Sequence, residues 1–532
     1  MREQSVAKGF AVLSAAGIIV KLLSLLYLPV LIAIVGEEGN GVYAAAYQVY
    51  VLVYAISNVG IPVAVSKLVS ELIAVGNPKD AVRGFKIARF LLLLMGIFSG
   101  ALMALLSGPL ANVMHYEKAH LAILALSPSL IFTAIASAYR GYFQGRSNMT
   151  PTAVSQILEQ VVNTILTLVF AALLIKKGIP QACAGGTIGT SIGALVSASY
   201  LINFYNKKGG MVISEQIVNM DVQRYSYSQL LKKVIGYSIP ITLTIGMQYA
   251  GNLVDVMNTK VRLLAAGFAD KPATELYSHL YKYQQLLNAP IAIMAALAAT
   301  ILPAISAAVA LRDRKRIQNR VSFAMRVCFF ITIPSALGLS ILSDSIYRII
   351  RYGPGSELML WGSVCLVMLA VVQIQTSILQ GAGKLYGVTL NLVFGIIGKI
   401  VTNYFLISIK GLNIYGAIIG SIVGYSISIT LNNILIKKTL FIKTKTLQHA
   451  VKPIISAVAM GLAVLAVHAM VTGVLGYSYF VNFFGTILSI LVGIAVYFVV
   501  LVYIKGITKE ELEIIPGRLR KFVPRSLMLK IG

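Results

Sequence analysis

Fourteen long apolar runs, separated by short polar or Gly/Pro-rich breaks, dominate the chain. They cover residues 10–35, 40–66, 86–113, 121–146, 152–175, 183–206, 233–260, 277–304, 321–343, 358–382, 386–408, 413–436, 451–473 and 479–504. None alternates strictly between apolar and polar positions. About 20 helical residues cross the hydrocarbon core of a bilayer. Lipid cannot bond free backbone groups, so only helices or closed barrels span it. Continuous runs without alternation select helices. The pattern predicts an all-α polytopic membrane protein of about 14 transmembrane helices. The first run has few charges at its start and no small-residue cleavage pattern, so it reads as a retained helix and not a signal peptide. Between the second and third runs, Lys67 to Lys86 reads as an amphipathic helix on the inner surface, with Leu68, Leu72 and Val75 on one face.

Composition agrees. The 532 residues are 58% hydrophobic and 12% charged, whereas soluble proteins carry about 25% charged residues. A soluble multidomain enzyme, a disordered chain and a disulfide scaffold are excluded. The net charge of +27 would suggest nucleic acid in a soluble protein, but cytoplasmic loops of membrane proteins collect Lys and Arg. No nucleic-acid partner is expected. With the N-terminus inside, 33 of the 45 basic residues fall on the cytoplasmic side and 10 outside, leaving Lys21 and Lys399 within the membrane. That bias predicts a multi-pass protein of the cytoplasmic membrane with both termini cytoplasmic, and a basic tail (506–532) held near anionic lipid heads. Cys183, Cys328 and Cys365 form no close pair and the five histidines are scattered, so neither a disulfide framework nor a metal site is expected.

The two halves resemble each other at a spacing of about 230 to 241 residues. Gly185, Gly189 and Gly193 recur as Gly416, Gly420 and Gly424, and Lys207-Lys208 recurs as Lys437-Lys438. Tyr116 matches Tyr352, Gln144-Gly145 matches Gln380-Gly381, and Pro62 with Ser66 echoes Pro303 with Ser306. Each repeat unit is an even number of helices, so both halves sit the same way up, as a parallel repeat. We divide the chain into an N-lobe (1–210), a C-lobe (211–440), two further helices (441–505) and the tail. Two similar bundles that rock about a midplane site suit a transporter, and no re-entrant filter segment suggests a channel. The Gly-xxx-Gly runs read as close helix packing.

Charges in a bilayer cost about 2.5 to 3.5 kcal/mol each on insertion scales, so each needs a reason. Lys21 lies roughly 20 Å along a helix from Lys8, and span one has no acid; it faces either a substrate cavity or a partner on another helix. Arg140 and Glu159 lie in adjacent spans, as a structural ion pair or with Arg140 open to substrate. Asp255 and Lys282 offer a second pair; alternatively, Asp255 is a ligand for a coupling cation, Na+ or H+. Lys399 and Asn403 form a polar stripe one turn apart. Lys21, Arg140, Lys282 and Lys399 outnumber Glu159 and Asp255, so the cavity would be basic and suit an anion such as a diphosphate. A drug-cation exporter would place carboxylates there.

The stretch RGYFQGRSNMTPTAVSQILEQ (Arg140 to Gln160) resembles the signature of the stage V sporulation protein B group. This group belongs to the MurJ-related branch of the multidrug/oligosaccharidyl-lipid/polysaccharide (MOP) exporter superfamily. GIPVAVSKLVSE (Gly60 to Glu71) and PIAIMAALAATILPAIS (Pro290 to Ser306) are similar to its other recurrent segments, and the likeness runs over essentially the whole chain. The resemblance implies a fourteen-helix flippase with two six-helix lobes, acting on an undecaprenyl-diphosphate-linked peptidoglycan precursor, lipid II. It implies a cavity lined by spans one, two, seven and eight, with Lys21 where the family carries a basic residue. It also implies a groove for the lipid tail near spans thirteen and fourteen. Where MurJ proteins of Gram-negative type have an arginine shortly before the proline of span eight, this chain has Gln284 and Gln285 before Pro290, with Lys282 nearby, and span two has Ser57 and Asn58 and no arginine. No cofactor is expected beyond a coupling ion, since no P-loop is present. The rival readings are a flippase for another lipid-linked polysaccharide, a cation-coupled multidrug exporter, a membrane glycosyltransferase, which would need a large extramembrane loop, and a scaffold for wall-synthesis proteins.

Overall fold

Breaks in the apolar pattern become helix ends. The computed structural model describes residues 6–74, 76–209, 224–442, 446–476 and 478–506. Arg2, most of the inner loop after Lys208, and the basic tail from residue 507 lie outside the described residues. So does the expected lobe boundary between residues 210 and 211.

Contacts divide the chain into two units. The first is Met1–Ser278 with Ile407–Asn413, and the second is His279–Leu406 with Ile414–Gly532. In the first, α1 (Val6–Tyr54) leaves helical geometry at Gly36 (φ 74°), a conformation glycine adopts without a Cβ penalty. This break separates the first two crossings. A π turn over Ala55–Val59 leads into α2 (Gly60–Ala74). There follow α3 (Pro78–Leu105), α4 (Ser107–Val113), α5 (His120–Leu126), α6 (Ser129–Gly145), α7 (Thr150–Leu174), α8 (Ile179–Phe204) and α9 (Tyr227–Ala265). Then α10 (Asp270–Ala310) begins in the first unit and continues into the second.

The second unit continues with α11 (Arg314–Ile341), α12 (Ser343–Ile350), α13 (Ser356–Gly362), α14 (Val364–Gly381), α15 (Leu385–Leu406), α16 (Tyr415–Leu440), α17 (Thr446–Leu475) and α18 (Tyr479–Tyr503). Among the described residues, 12 helical stretches are long and apolar enough to cross a membrane. One of them, Ala15–Ile73, is 59 residues long, about 88 Å at 1.5 Å per residue, and so makes two crossings around Gly36. Divided there, the count among the described residues is thirteen, and α10, which is not one of the twelve, covers the eighth apolar run of the sequence.

One expectation fails locally. Lys67 to Lys86 is not a surface helix. Its first part ends α2, Gly76 turns the chain with φ 74°, and Asn77 caps α3, accepting from the Asp80 amide at 3.1 Å. Pro78 sits at the first helical position, where its missing N–H costs nothing. Leu68 and Leu72 are buried with Phe85 and Tyr142 in the first unit's core. Their periodicity was real, but protein covers that face.

The repeat is built into equivalent contacts. In the first unit Ser70 Oγ donates to the Gly145 carbonyl at 3.0 Å. In the second, Ser306 Oγ donates to the Gly381 carbonyl at 3.0 Å. A Cβ on Gly145 would lie 2.7 Å from the Ser66 carbonyl, and one on Gly381 would lie 2.7 Å from the Leu302 carbonyl. These pairs share one offset of 236 residues, so the partner of Ser306 is Ser70, not Ser66. The glycine runs behave alike. Gly193 on α8 abuts the Glu159 carbonyl, and Gly424 on α16 abuts the Gly395 carbonyl, each at 2.7 Å from the ideal Cβ. They are packing positions, as small residues between close helices should be.

The last two helices belong to the second unit. Tyr497 Oη donates to the Phe330 carbonyl at 2.9 Å, and Gly461 lets α17 seat against Leu337 and Ile341 of α11. Their outer faces expose Met470, Val474, Phe480 and Phe484, as lipid-facing helices do.

Gly145→Ala and Gly381→Ala should each lower stability by about 1–3 kcal/mol through overpacking. Gly17→Ala, with nothing within 4 Å of its Cβ, should be neutral or slightly stabilising. Thermal unfolding in detergent checks all three.

Candidate functional site

Lys21 stands in the apolar first crossing, on a stretch of α1 whose neighbours Ile18 and Leu22 are also exposed. Its side chain is accessible, and it makes no ion pair with any described residue. Continuous apolar sequence makes this segment a helix, so the ammonium is fixed by backbone rather than by a partner.

Arg140 is held differently. At the end of α6, its Nη2 donates to Glu159 Oε2 at 2.6 Å and to Ser197 Oγ at 2.8 Å, while Nε donates to Ser155 Oγ at 3.0 Å. Three helices, α6, α7 and α8, thus meet at one guanidinium. The pair is not sealed: the side chains keep 12% (Arg140) and 25% (Glu159) of their surface.

Lys282 is fully enclosed, and its Nζ donates to the carbonyls of Tyr352 and Pro354 at 2.8 and 2.7 Å. It ties α10 to the turn before α13. An ammonium so placed is a structural clamp and is not open to a ligand in this structure. Lys399 and Asn403 are also buried. Gly420 and Gly424 of α16 leave the room that seats them.

The remaining candidates are mostly local. Ser57, in the π turn, bonds back to the Val53 carbonyl at 2.7 Å. Asn58 donates to Thr133 Oγ1 at 3.1 Å and fastens α6. Gln285 accepts from Asn288 at 3.3 Å. Asp255 is fully buried in α9, one turn from Thr259, and its carboxylate lies within electrostatic reach of Tyr277. Lys260 pairs with Asp270 at 2.7 Å and lies over the Tyr116 ring.

Sequence reasoning missed a tyrosine ladder. Tyr43, Tyr47, Tyr50 and Tyr54 follow one face of α1, with successive ring centroids 6.0, 5.7 and 5.9 Å apart. The signal was present in the spacing of four, three and four residues, which is one helical face.

Removing one member of a partly buried ion pair strands the other. Arg140→Ala should therefore cost roughly 2 kcal/mol, between exposed-pair and buried-pair values. The double variant Arg140→Ala/Glu159→Ala should cost less than the sum of the two single changes. A double-mutant cycle read by thermal unfolding checks this.

The model of a family described as polysaccharide biosynthesis protein matches residues 6–309. Over 535 residues the chain is 28% identical to stage V sporulation protein B of Bacillus subtilis (strain 168), covering 98% of this chain and 99% of that protein. It is 26% identical over 480 residues to the lipid II flippase MurJ of the same organism, covering 86% of this chain and 87% of that one. Among solved structures, lipid II flippase MurJ in an inward closed conformation shares the fold, with a TM-score of 0.65 at 16% identity over 92% of this chain and 97% of that one. An all-helical multi-pass membrane chain with this internal repeat, matched over more than half its length, belongs to the polysaccharide biosynthesis protein family.

Proposed function

We propose that this protein is a flippase that moves an undecaprenyl-diphosphate-linked saccharide across the cytoplasmic membrane, with lipid II as the substrate class. The observation that carries the reading is Lys21: an accessible ammonium in an apolar crossing, without an ion-pair partner among the described residues. A cation so placed is costly in lipid and is accounted for by an anionic ligand, of which a diphosphate is the natural match. The flippase and the sporulation protein that the chain resembles support the same reading.

In this reading Lys21 receives the diphosphate. The saccharide head crosses among helices, and the polyprenyl tail stays in lipid near the apolar faces of α17 and α18. Alternating exposure of the site to the two sides moves the head. A cation gradient or the membrane potential supplies the energy, one unit charge over 100 mV being worth about 2.3 kcal/mol. Asp255 is the carboxylate proposed to take Na+ or H+. Its neighbour Thr259 presents a buried hydroxyl with no partner among the described residues, and oxygen donors of this kind suit a hard ion.

Lys21→Ala should abolish complementation of a host depleted of its own flippase, with the protein still present and folded. Lys21→Arg should retain most function. The direct readout is lipid II exposed on the outer membrane face. Full exposure in Lys21→Ala would remove Lys21 from the mechanism, and unchanged exposure on depletion of the protein itself from its native host would remove the flippase reading.

A further inference from the structure

We infer that the first unit carries a saccharide-binding face made by Tyr249, Tyr47, Tyr54 and Glu159, which recognises the sugar rather than the diphosphate; this rests on the flippase reading above. The tyrosine ladder is anchored at alternate rungs. Tyr43 and Tyr50 are buried, the Tyr43 hydroxyl lies 3.3 Å from that of Tyr27, and the Tyr50 hydroxyl faces Ser129 and Thr133 of α6. Tyr47 and Tyr54 remain partly accessible. Both lie within electrostatic reach of Glu159 on α7 and Tyr249 on α9. The Tyr249 residue is 38% exposed and, among the described residues, stacks on no other ring.

The Glu159 and Arg140 side chains keep 25% and 12% of their surface open, and hydrocarbon against an ionised pair would be strongly unfavourable. Aromatic rings around a lone carboxylate would suit a cation. Here the carboxylate already meets the Arg140 guanidinium at 2.6 Å, so its charge is balanced and what remains is acceptor capacity. A pyranose matches that combination. One face of the ring presents C–H groups to the negative face of an aromatic ring, which Tyr249 offers. Its rim of hydroxyls needs groups that accept and donate: the Glu159 carboxylate accepts, and the phenols of Tyr47 and Tyr54 do both. A few polar groups placed among aromatic side chains is the usual build of a small-molecule site.

The test uses the full chain in lipid nanodiscs with two probes, lipid II and undecaprenyl diphosphate. Tyr249→Ala should bind lipid II about tenfold more weakly, the scale of one aromatic contact, while undecaprenyl diphosphate binds as before and so reports an intact fold. Tyr249→Phe should match the parent, because the ring face is kept. The double variant Tyr47→Phe/Tyr54→Phe should lose several-fold for lipid II alone. Equal losses for both probes, no loss in Tyr249→Ala, or competition of tetraphenylphosphonium with lipid II at this face would overturn the sugar assignment and leave the flippase reading standing. Binding of neither probe by the parent protein would overturn both.

Discussion

Hydrocarbon offers no hydrogen-bond partner, so a charged group placed among membrane helices must find its complement within protein or in a water-filled space. That constraint sorts the cations of this chain. Arg140 has a carboxylate and two hydroxyls. Lys260 has Asp270. Lys282 has two backbone carbonyls at a turn, where the chain leaves helical geometry. Each arrangement joins two or more elements of one unit, so the charge adds definition to the packing as well as needing it. Lys21 is set apart by making neither an ion pair nor a side-chain hydrogen bond among the described residues.

The same constraint explains the glycines. Helices in lipid gain little from apolar burial against one another, and close backbone approach and interhelical hydrogen bonds take its place. Gly145 and Gly381 bring α6 against α2 and α14 against α10 until a serine hydroxyl reaches a carbonyl across each seam. Conservation of this contact between the two units, at a fixed offset, is stronger evidence of duplication than the residue matches themselves, because carbonyl, hydroxyl and missing Cβ must all coincide.

Much of this was legible in the sequence, and the failures have physical causes. Continuous apolar runs gave the crossings because length and hydropathy alone decide what spans a bilayer. The glycine runs and Gln144-Gly145 gave the repeat. Its register slipped at Pro62 and Ser66, since proline is tolerated at several places in membrane helices and so marks position poorly, whereas Ser70 is fixed by its bond. The segment from Lys67 to Lys86 misled because an amphipathic face looks the same whether lipid heads or other helices cover it; Asn77 followed by Pro78 was the available sign of a new helix start. Lys282 was unreadable as a clamp because its carbonyl partners lie 70 and 72 residues away. The tyrosine spacing alone does not mark a site, because aromatic residues at helical spacing serve equally well as core packing.

The two units differ at one equivalent crossing. At the offsets that relate the units, the quartet Arg140, Ser155, Glu159 and Ser197 of the first unit corresponds to Thr376, Asn391, Gly395 and Ser428 of the second. The second set has no charge. There Gly395 lies close against Ser428, Asn391 bonds Asn432 at 2.9 Å, and the seam's one buried cation among these neighbours, Lys399, stands one turn further along. In the first unit the same crossing is propped by an ion pair with surface left open on both partners. A charge pair at a seam that glycine and serine can close is not required by the packing. Its presence in one copy, beside the accessible rungs of a tyrosine ladder, is explained if the first unit is where a polar ligand is handled.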